Sequence, residues 1–247
     1  MIPKIIHYCW FGNGELSEQA KNCIATWKKY LPDYEIIEWN EGNFDINCCD
    51  YVKEAYGCKK YAFVSDYARL CALYQYGGIY FDTDVEVKKN IDEFLSKKEV
   101  FGFESSDRIG TAIVMAEKKS RLIKEWLDTY KDRHFLSEDK MDMETNVFYL
   151  TNMLKNKGVR LTGERQELLD GDVLICETSV FYPYSIGESK KKDFSSSYTI
   201  HWCDGSWVSG KQLIKHNLIK LTKKIVGIKN YQKMKDAIRK LRRIDSV

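Results

Sequence analysis

Asp82 and Asp84 stand one residue apart in the stretch GGIYFDTDVEV, where an apolar run ends. Two carboxylates this close repel each other, and each is costly at the edge of a core unless something positive neutralises it. In an extended segment, residues two apart point to the same side, so both can converge on one ion. Small hard cations such as Mg2+ and Mn2+ favour oxygen ligands and complete their shells with water and substrate phosphates. The pair therefore predicts a divalent metal that neutralises a diphosphate, the alternative being a solvated turn or a helix cap. Upstream, Asp66 and Arg69 in SDYAR share one face of a predicted helix at i and i+3, the spacing of an ion pair. Between the two motifs, Gly77 and Gly78 let backbone pass close to a neighbour.

These residues need elements to hold them. KIIHYCWFG reads as a first strand ending near Gly12, and no small-residue cleavage site follows it, which argues against a secretion signal. A helix is expected from Ser17 to Tyr30, with Ser17 as N-cap and Ala20, Cys23, Ile24 and Trp27 on its apolar face. YEIIEW is a second strand; YVKEAY and YAFVSDYARLCALYQY are helices, the latter stopped by the double glycine. VFGFES and AIVMAE read as strands, RLIKEWLDTYKD and TNVFYLTNMLKN as helices, and short strands are expected near 172–175 and 198–203. Strands alternating with helices imply a layered α/β domain with a largely parallel sheet. Ligands in such sheets gather at the carboxyl ends of strands, where Trp10, Asp82 and Asp84 all fall.

Composition excludes several classes. The chain has 247 residues, 44% apolar and 30% charged, with three prolines, as in an ordinary globular protein. No apolar run approaches the ~18 residues that a membrane-spanning helix needs. The eight cysteines lie at 9, 23, 48, 49, 58, 71, 176 and 203 without any C-x-x-C spacing, so they read as reduced thiols in a reducing compartment. Residues 211–247 hold 12 Lys/Arg against 2 Asp/Glu, leaving 27 against 34 in the first 210. A mildly acidic body, 1–210, thus carries a basic tail, 211–247. Leu213, Ile214, Leu218, Leu221 and Ile225 recur there at helical spacing, the pattern of a membrane-surface element or of a helical hairpin packed on the domain. The acidic body and the lack of a recognition motif argue against nucleic-acid binding.

Taken together, D-x-x-R followed by Y-G-G-I-Y-x-D-x-D resembles the core motif of the DXD-containing sugar-transferase family. That family includes yeast-type initiating mannosyltransferases, bacterial capsular polysaccharide glycosyltransferases and the glucosylating clostridial toxins. IPKIIHYCWFG at the start resembles its first strand, and HWCDGSW resembles its closing loop. METNVFYLT, which lacks the Gly-Pro pair seen on the acceptor side of other branches, resembles the bacterial capsule branch.

The resemblance implies a GT-A, Rossmann-like fold with a mixed central sheet and a basic helical extension. It implies a retaining hexosyltransferase using Mn2+ or Mg2+. Its donor would be a nucleotide-diphosphate sugar, UDP-galactose or UDP-glucose, and its acceptor a lipid-linked saccharide on the inner face of the plasma membrane. Carried over, Trp10 stacks on the base, Asn43 lies on the base or ribose side, and Asp66 and Arg69, with Ser65 adjacent, hold the sugar and phosphate side. Tyr80 and Asp82 line the ribose and the metal's water shell, and Asp84 ligates the metal. Ser206 and Trp207 close over the diphosphate, and His201 or Asp204 supplies a further ligand. A double displacement needs a carboxylate nucleophile about 5 Å from the acid. A front-face transfer assisted by the leaving phosphate fits the resemblance better. Glu104 and Asp107, past a strand end, are candidates for orienting the acceptor. A protein-modifying transferase and a silent sugar-nucleotide-binding module are the alternatives.

Overall fold

The computed structural model describes residues 1–137, 140–185 and 194–203. Met1–Pro183 with Phe194–His201 form one compact unit, and the following concerns that unit. The expected boundary at 210, the basic tail 211–247, and Asp204, Ser206 and Trp207 lie outside the described residues.

Chain order begins with β1 (Ile5–Cys9), α1 (Glu18–Tyr30), β2 (Glu35–Trp39), α2 (Asp50–Gly57) and α3 (Tyr61–Tyr76). β3 (Gly78–Phe81), β4 (Val85–Val87), β5 (Glu99–Ser105), β6 (Arg108–Ala116) and α4 (Arg121–Asp128) follow. The remaining elements are β7 (Leu136–Ser137), β8 (Lys140–Met141), α5 (Asn146–Asn156), β9 (Gln166–Leu168), β10 (Val173–Cys176), α6 (Thr178–Phe181) and β11 (Thr199–His201). Seven strands make the main sheet in the order β2-β1-β3-β6-β5-β10-β9. β1 runs parallel to β2 and β3, and β10 parallel to β5. β6 is antiparallel to both its neighbours. The sheet is therefore mixed, as the resemblance implies, and not largely parallel as strand–helix alternation alone suggests. Only Ser106 and Asp107 separate β5 from β6, a hairpin connection too short to cross over.

Side-chain alternation sorts the sheet's two faces. Tyr80, Phe101, Phe103, Val114 and Ala116 join the core under α2–α5. Ile79, Phe81, Val100, Ile113 and Met115 join Trp27 of α1 in the other. Ser17 caps α1 by accepting from the Ala20 N–H at 3.1 Å, and α1 buries Ala20, Cys23, Ile24 and Trp27. Trp27, wholly buried, donates its Nε1–H to the Val85 carbonyl at 2.7 Å, and Thr26 Oγ1 accepts from the Val87 N–H at 2.9 Å. A helix more than fifty residues upstream thus fixes β4, the strand that follows Asp84.

Gly77 ends α3 at φ 70° and Gly78 opens β3 at φ 109°, both in the left-handed region that glycine tolerates. A Cβ on Gly78 would lie 2.5 Å from the Ile5 carbonyl oxygen, so the β1–β3 approach requires glycine there. Beneath this turn His7 is fully buried. Its Nε2–H donates to the Gly77 carbonyl at 2.8 Å and its Nδ1 accepts from Trp39 Nε1–H at 3.2 Å, which fixes the neutral tautomer. Among the described residues no helix is long and apolar enough to cross a membrane. Cys9, Cys48, Cys49, Cys58, Cys71 and Cys176 are not in disulfides.

Candidate active site

β3 and α3 bring the motif residues together. Asp82 follows the last residue of β3, and its N–H still reaches Ala112 O of β6 at 2.8 Å. The chain then turns: the Val85 N–H donates to the Asp82 carbonyl at 3.0 Å. The two aspartates therefore flank a tight turn, and they converge through that turn rather than through strand alternation. Val85 and Val87 are wholly buried, and that burial brings the chain back into the fold as β4.

Arg69 lies beneath this turn, its side chain 5% exposed. Its Nη2 is 2.9 Å from Asp66 Oδ1 and 3.3 Å from Asp82 Oδ1, so the i,i+3 pair expected on the helix forms and extends to the DXD motif. Nη1–H donates to Thr111 O at 2.7 Å and Nε–H to Ser65 O at 3.2 Å. The guanidinium lies 4.3 Å from the Tyr80 ring centroid, and the buried Tyr80 hydroxyl donates to Asp82 Oδ1 at 3.0 Å. Burial pushes the Asp66 carboxyl up to about 6, against the opposing pull of Arg69 and with a further push from Asp82. Its backbone carbonyl accepts from Asn146 Nδ2–H at 2.8 Å, which ties α3 to the start of α5.

Asp84 meets its partner from the far end of the unit. β11 pairs antiparallel with β4, His201 opposite Val85, and His201 Nε2 lies 3.3 Å from Asp84 Oδ1. One ligand atom each from Asp82, Asp84 and His201 fall within 4.8 Å of one another. Two carboxylate oxygens and one imidazole nitrogen fit a divalent cation. Strand register thus places His201 beside Asp84. Nothing in the spacing of residues 84 and 201 signals that contact.

The remaining site residues stand around this centre. Trp10 sits at the end of β1, its Nε1–H on Gly14 O at 2.7 Å and its N–H on Trp39 O at 2.9 Å. Asn43 is exposed and braces its own loop, accepting from the Asn40 N–H at 2.9 Å and donating to Glu38 O at 2.7 Å. Ser65 donates to Tyr61 O at 3.0 Å within α3. Glu104, near the end of β5, is 3.4 Å from Arg108, and burial raises its carboxyl despite the opposing charges of Arg108 and His201. Asp107 Oδ1 accepts from Ser105 Oγ–H at 2.9 Å in the β5–β6 turn.

Residues 17–101 match the family described as the glycosyltransferase sugar-binding region containing the DXD motif. Inositol phosphoceramide mannosyltransferase 1 of Schizosaccharomyces pombe is 31% identical over 120 residues, 44% of this chain and 36% of that protein. Inositol phosphoceramide mannosyltransferase 3 of the same organism is 34% identical over 102 residues, 38% of this chain and 27% of that protein. The match thus spans only about a third of the length of these relatives. The solved PaToxG glycosyltransferase is similar in structure at a TM-score of 0.50 and 20% identity, over 64% of this chain and 70% of that one. The fold is of the GT-A type, and residues 17–101 are similar to the DXD-containing sugar-binding region.

Proposed function

We propose that this chain is a retaining, divalent-metal-dependent glycosyltransferase. It moves a hexose from a nucleotide-diphosphate sugar, UDP-galactose or UDP-glucose, to a lipid-linked saccharide in capsular or other surface polysaccharide synthesis. The observation that carries this reading is the convergence of Asp82, Asp84 and His201 at the carboxyl end of β3, beside a buried Arg69. A cation bound there offsets the charge that develops on the departing diphosphate. With a carboxylate-rich set, that cation is Mn2+ or Mg2+, and the imidazole nitrogen favours Mn2+.

Arg69 holds Asp66 and Asp82 in register and adds positive field beneath the leaving group. Asp66 faces the donor sugar, and Trp10, at the end of β1, offers its indole face to the base. In the front-face route the bond from the anomeric carbon to the phosphate oxygen breaks, and the acceptor oxygen bonds to that carbon on the same face. Its proton passes to the leaving diphosphate. The names of the two yeast relatives, mannosyltransferases with a ceramide-based acceptor, support an acceptor that carries a lipid and also favour testing mannosyl donors. Residues 211–247, basic and amphipathic in sequence, suit the cytoplasmic surface of a bacterial plasma membrane, with the enzyme bound peripherally.

Donor hydrolysis by the purified chain, across UDP- and GDP-sugars with Mn2+ or EDTA, tests the reading. Metal-dependent release of nucleotide diphosphate from one donor is expected. Release that is equal in EDTA would overturn the role of the metal.

A further inference from the structure

We propose that Tyr182 is a positioning residue for the cation site, holding the His201 imidazole in its ligating orientation. The proposal rests on the metal-dependent reading above. Tyr182 is 2% exposed and follows α6, and its ring stands edge-on to His201 with centroids 5.9 Å apart at 84°. Its hydroxyl accepts from the Ile113 N–H of β6 at 3.0 Å, which pins the ring to the sheet.

The sheet is shaped to admit it. A Cβ on Gly110 would lie 2.4 Å from Tyr182 Cζ, and one on Gly102 would lie 3.1 Å from Cε2. Gly102 and Gly110 are paired across β5 and β6, and at Gly102 the Phe181 ring is nearer still, a Cβ there lying 2.8 Å from its Cδ2. Neither has the positive φ that would otherwise call for glycine. Close approach of the Tyr182 ring accounts for Gly110, and that of the Phe181 and Tyr182 rings for Gly102.

The same segment is latched to the strand that bears His201. Thr199 Oγ1–H donates to Phe181 O at 3.0 Å, and the Tyr198 N–H donates to Val180 O at 2.9 Å. α6 and Tyr182 therefore move with β11, while the Tyr182 hydroxyl registers them against β6. The imidazole lies between this ring and Asp84, so its rotation is set from both sides. Residues that orient a metal-bound histidine from outside the ligand shell usually matter about 10–100-fold in metal affinity.

Direct Mn2+ binding, read from the electron-spin resonance signal of free Mn2+ with UDP present, tests this without reference to turnover. Tyr182→Met, which removes the ring but keeps a long apolar side chain, is expected to weaken Mn2+ binding about tenfold or more. Tyr182→Phe, which keeps the ring in its slot but loses the bond from Ile113 N–H, is expected to lose less than Tyr182→Met. Added to His201→Ala, Tyr182→Met should bring no further loss, because the effect runs through the imidazole. Gly110→Ala displaces the ring without deleting it, and it stands in should Tyr182→Met fail to fold. Parent-like affinity in the folded variant, or losses that add in the double variant, overturns the positioning role. A parent protein that binds no Mn2+ overturns the metal reading itself, and this role with it.

Discussion

Asp82 and Asp84 belong to one three-residue motif, yet different parts of the fold hold them. Asp82 is anchored from the sheet by Arg69 of α3 and by the Tyr80 hydroxyl of β3. Asp84 lies beyond the turn, beside the two-stranded ribbon of β4 and β11, where His201 approaches it. The ribbon is in turn tied to α1 through Trp27 and Thr26. The first arrangement fixes a carboxylate by internal charge. The second brings a half-buried carboxylate and imidazole together, where a cation can replace their mutual contact. Asp82 is thus anchored by scaffold as well as offered to the cation, whereas Asp84 belongs to the ligand side alone, and substitutions should separate the two roles.

The largest expected effect is on the anchored half. Arg69→Met leaves Asp66 and Asp82 without their shared cation in a poorly hydrated place, and breaking such a pair costs about 3–5 kcal/mol. Urea unfolding should show a loss of that order, partly restored when Asp66→Asn is added. A midpoint equal to the parent's would mean that Arg69 is not structural. Asp84→Asn should do the reverse. Its unfolding midpoint stays close to the parent's, while Mn2+-dependent donor hydrolysis falls by about 100-fold or more, the several kcal/mol that a metal contributes to a developing charge. A large loss of stability with hydrolysis retained would invert the comparison. His201→Gln is the smaller version of the same test. Weakening of Mn2+ binding by about tenfold is expected, with unfolding unchanged.

How much of this division could be read from sequence depends on how local each contact is. Ser17, the apolar positions of α1 and the Gly77–Gly78 stop are signals within one or two turns, and the structure places them as read. The Asp66–Arg69 pair is local as well, and it forms. Its extension to Asp82 is not local, because it depends on α3 packing under β3. The break at the aspartates is legible, but the form of the turn is not: the Asp82–Val85 bond depends on β4 being drawn back by burial and by Trp27. The hairpin of β5 and β6 was legible in principle, since SSDR lies between two apolar runs. α6 is four residues long, too short for a helical period to register. The choice between His201 and Asp204 stayed open because strand register carries no trace in residue spacing, and β11 lies more than a hundred residues from its partner. Asp204 itself is outside the described residues.

The mildest test concerns the buried histidine under the anchored half. His7 donates to Gly77 O at the head of β3, accepts from Trp39 Nε1–H, and faces the Tyr76 ring at 6.1 Å. Burial holds its pKa below the ordinary 6.5, and the Gly77 hydrogen bond only partly opposes this. Above pH 6.5 both folded and unfolded chains carry it neutral, and its contribution to stability is complete. As pH falls below 6.5 the unfolded chain takes up the proton first, so stability is lost until the folded value is reached. His134, hydrogen-bonded to Glu54 and raised, acts with the opposite sign, so the raw pH profile of the parent mixes the two. His7→Gln separates them, because His134 is common to both proteins. At pH 7.5 the variant should be the less stable, having lost a fitted pair of hydrogen bonds, and the gap should narrow steadily towards pH 5.5. Metal-free unfolding monitors this without involving the ligand half. A gap that stays constant across the range would show that His7 takes up its proton in the folded state as readily as in the unfolded one. The turn at Gly77 would then have to be held by the β1–β3 approach and its glycines alone.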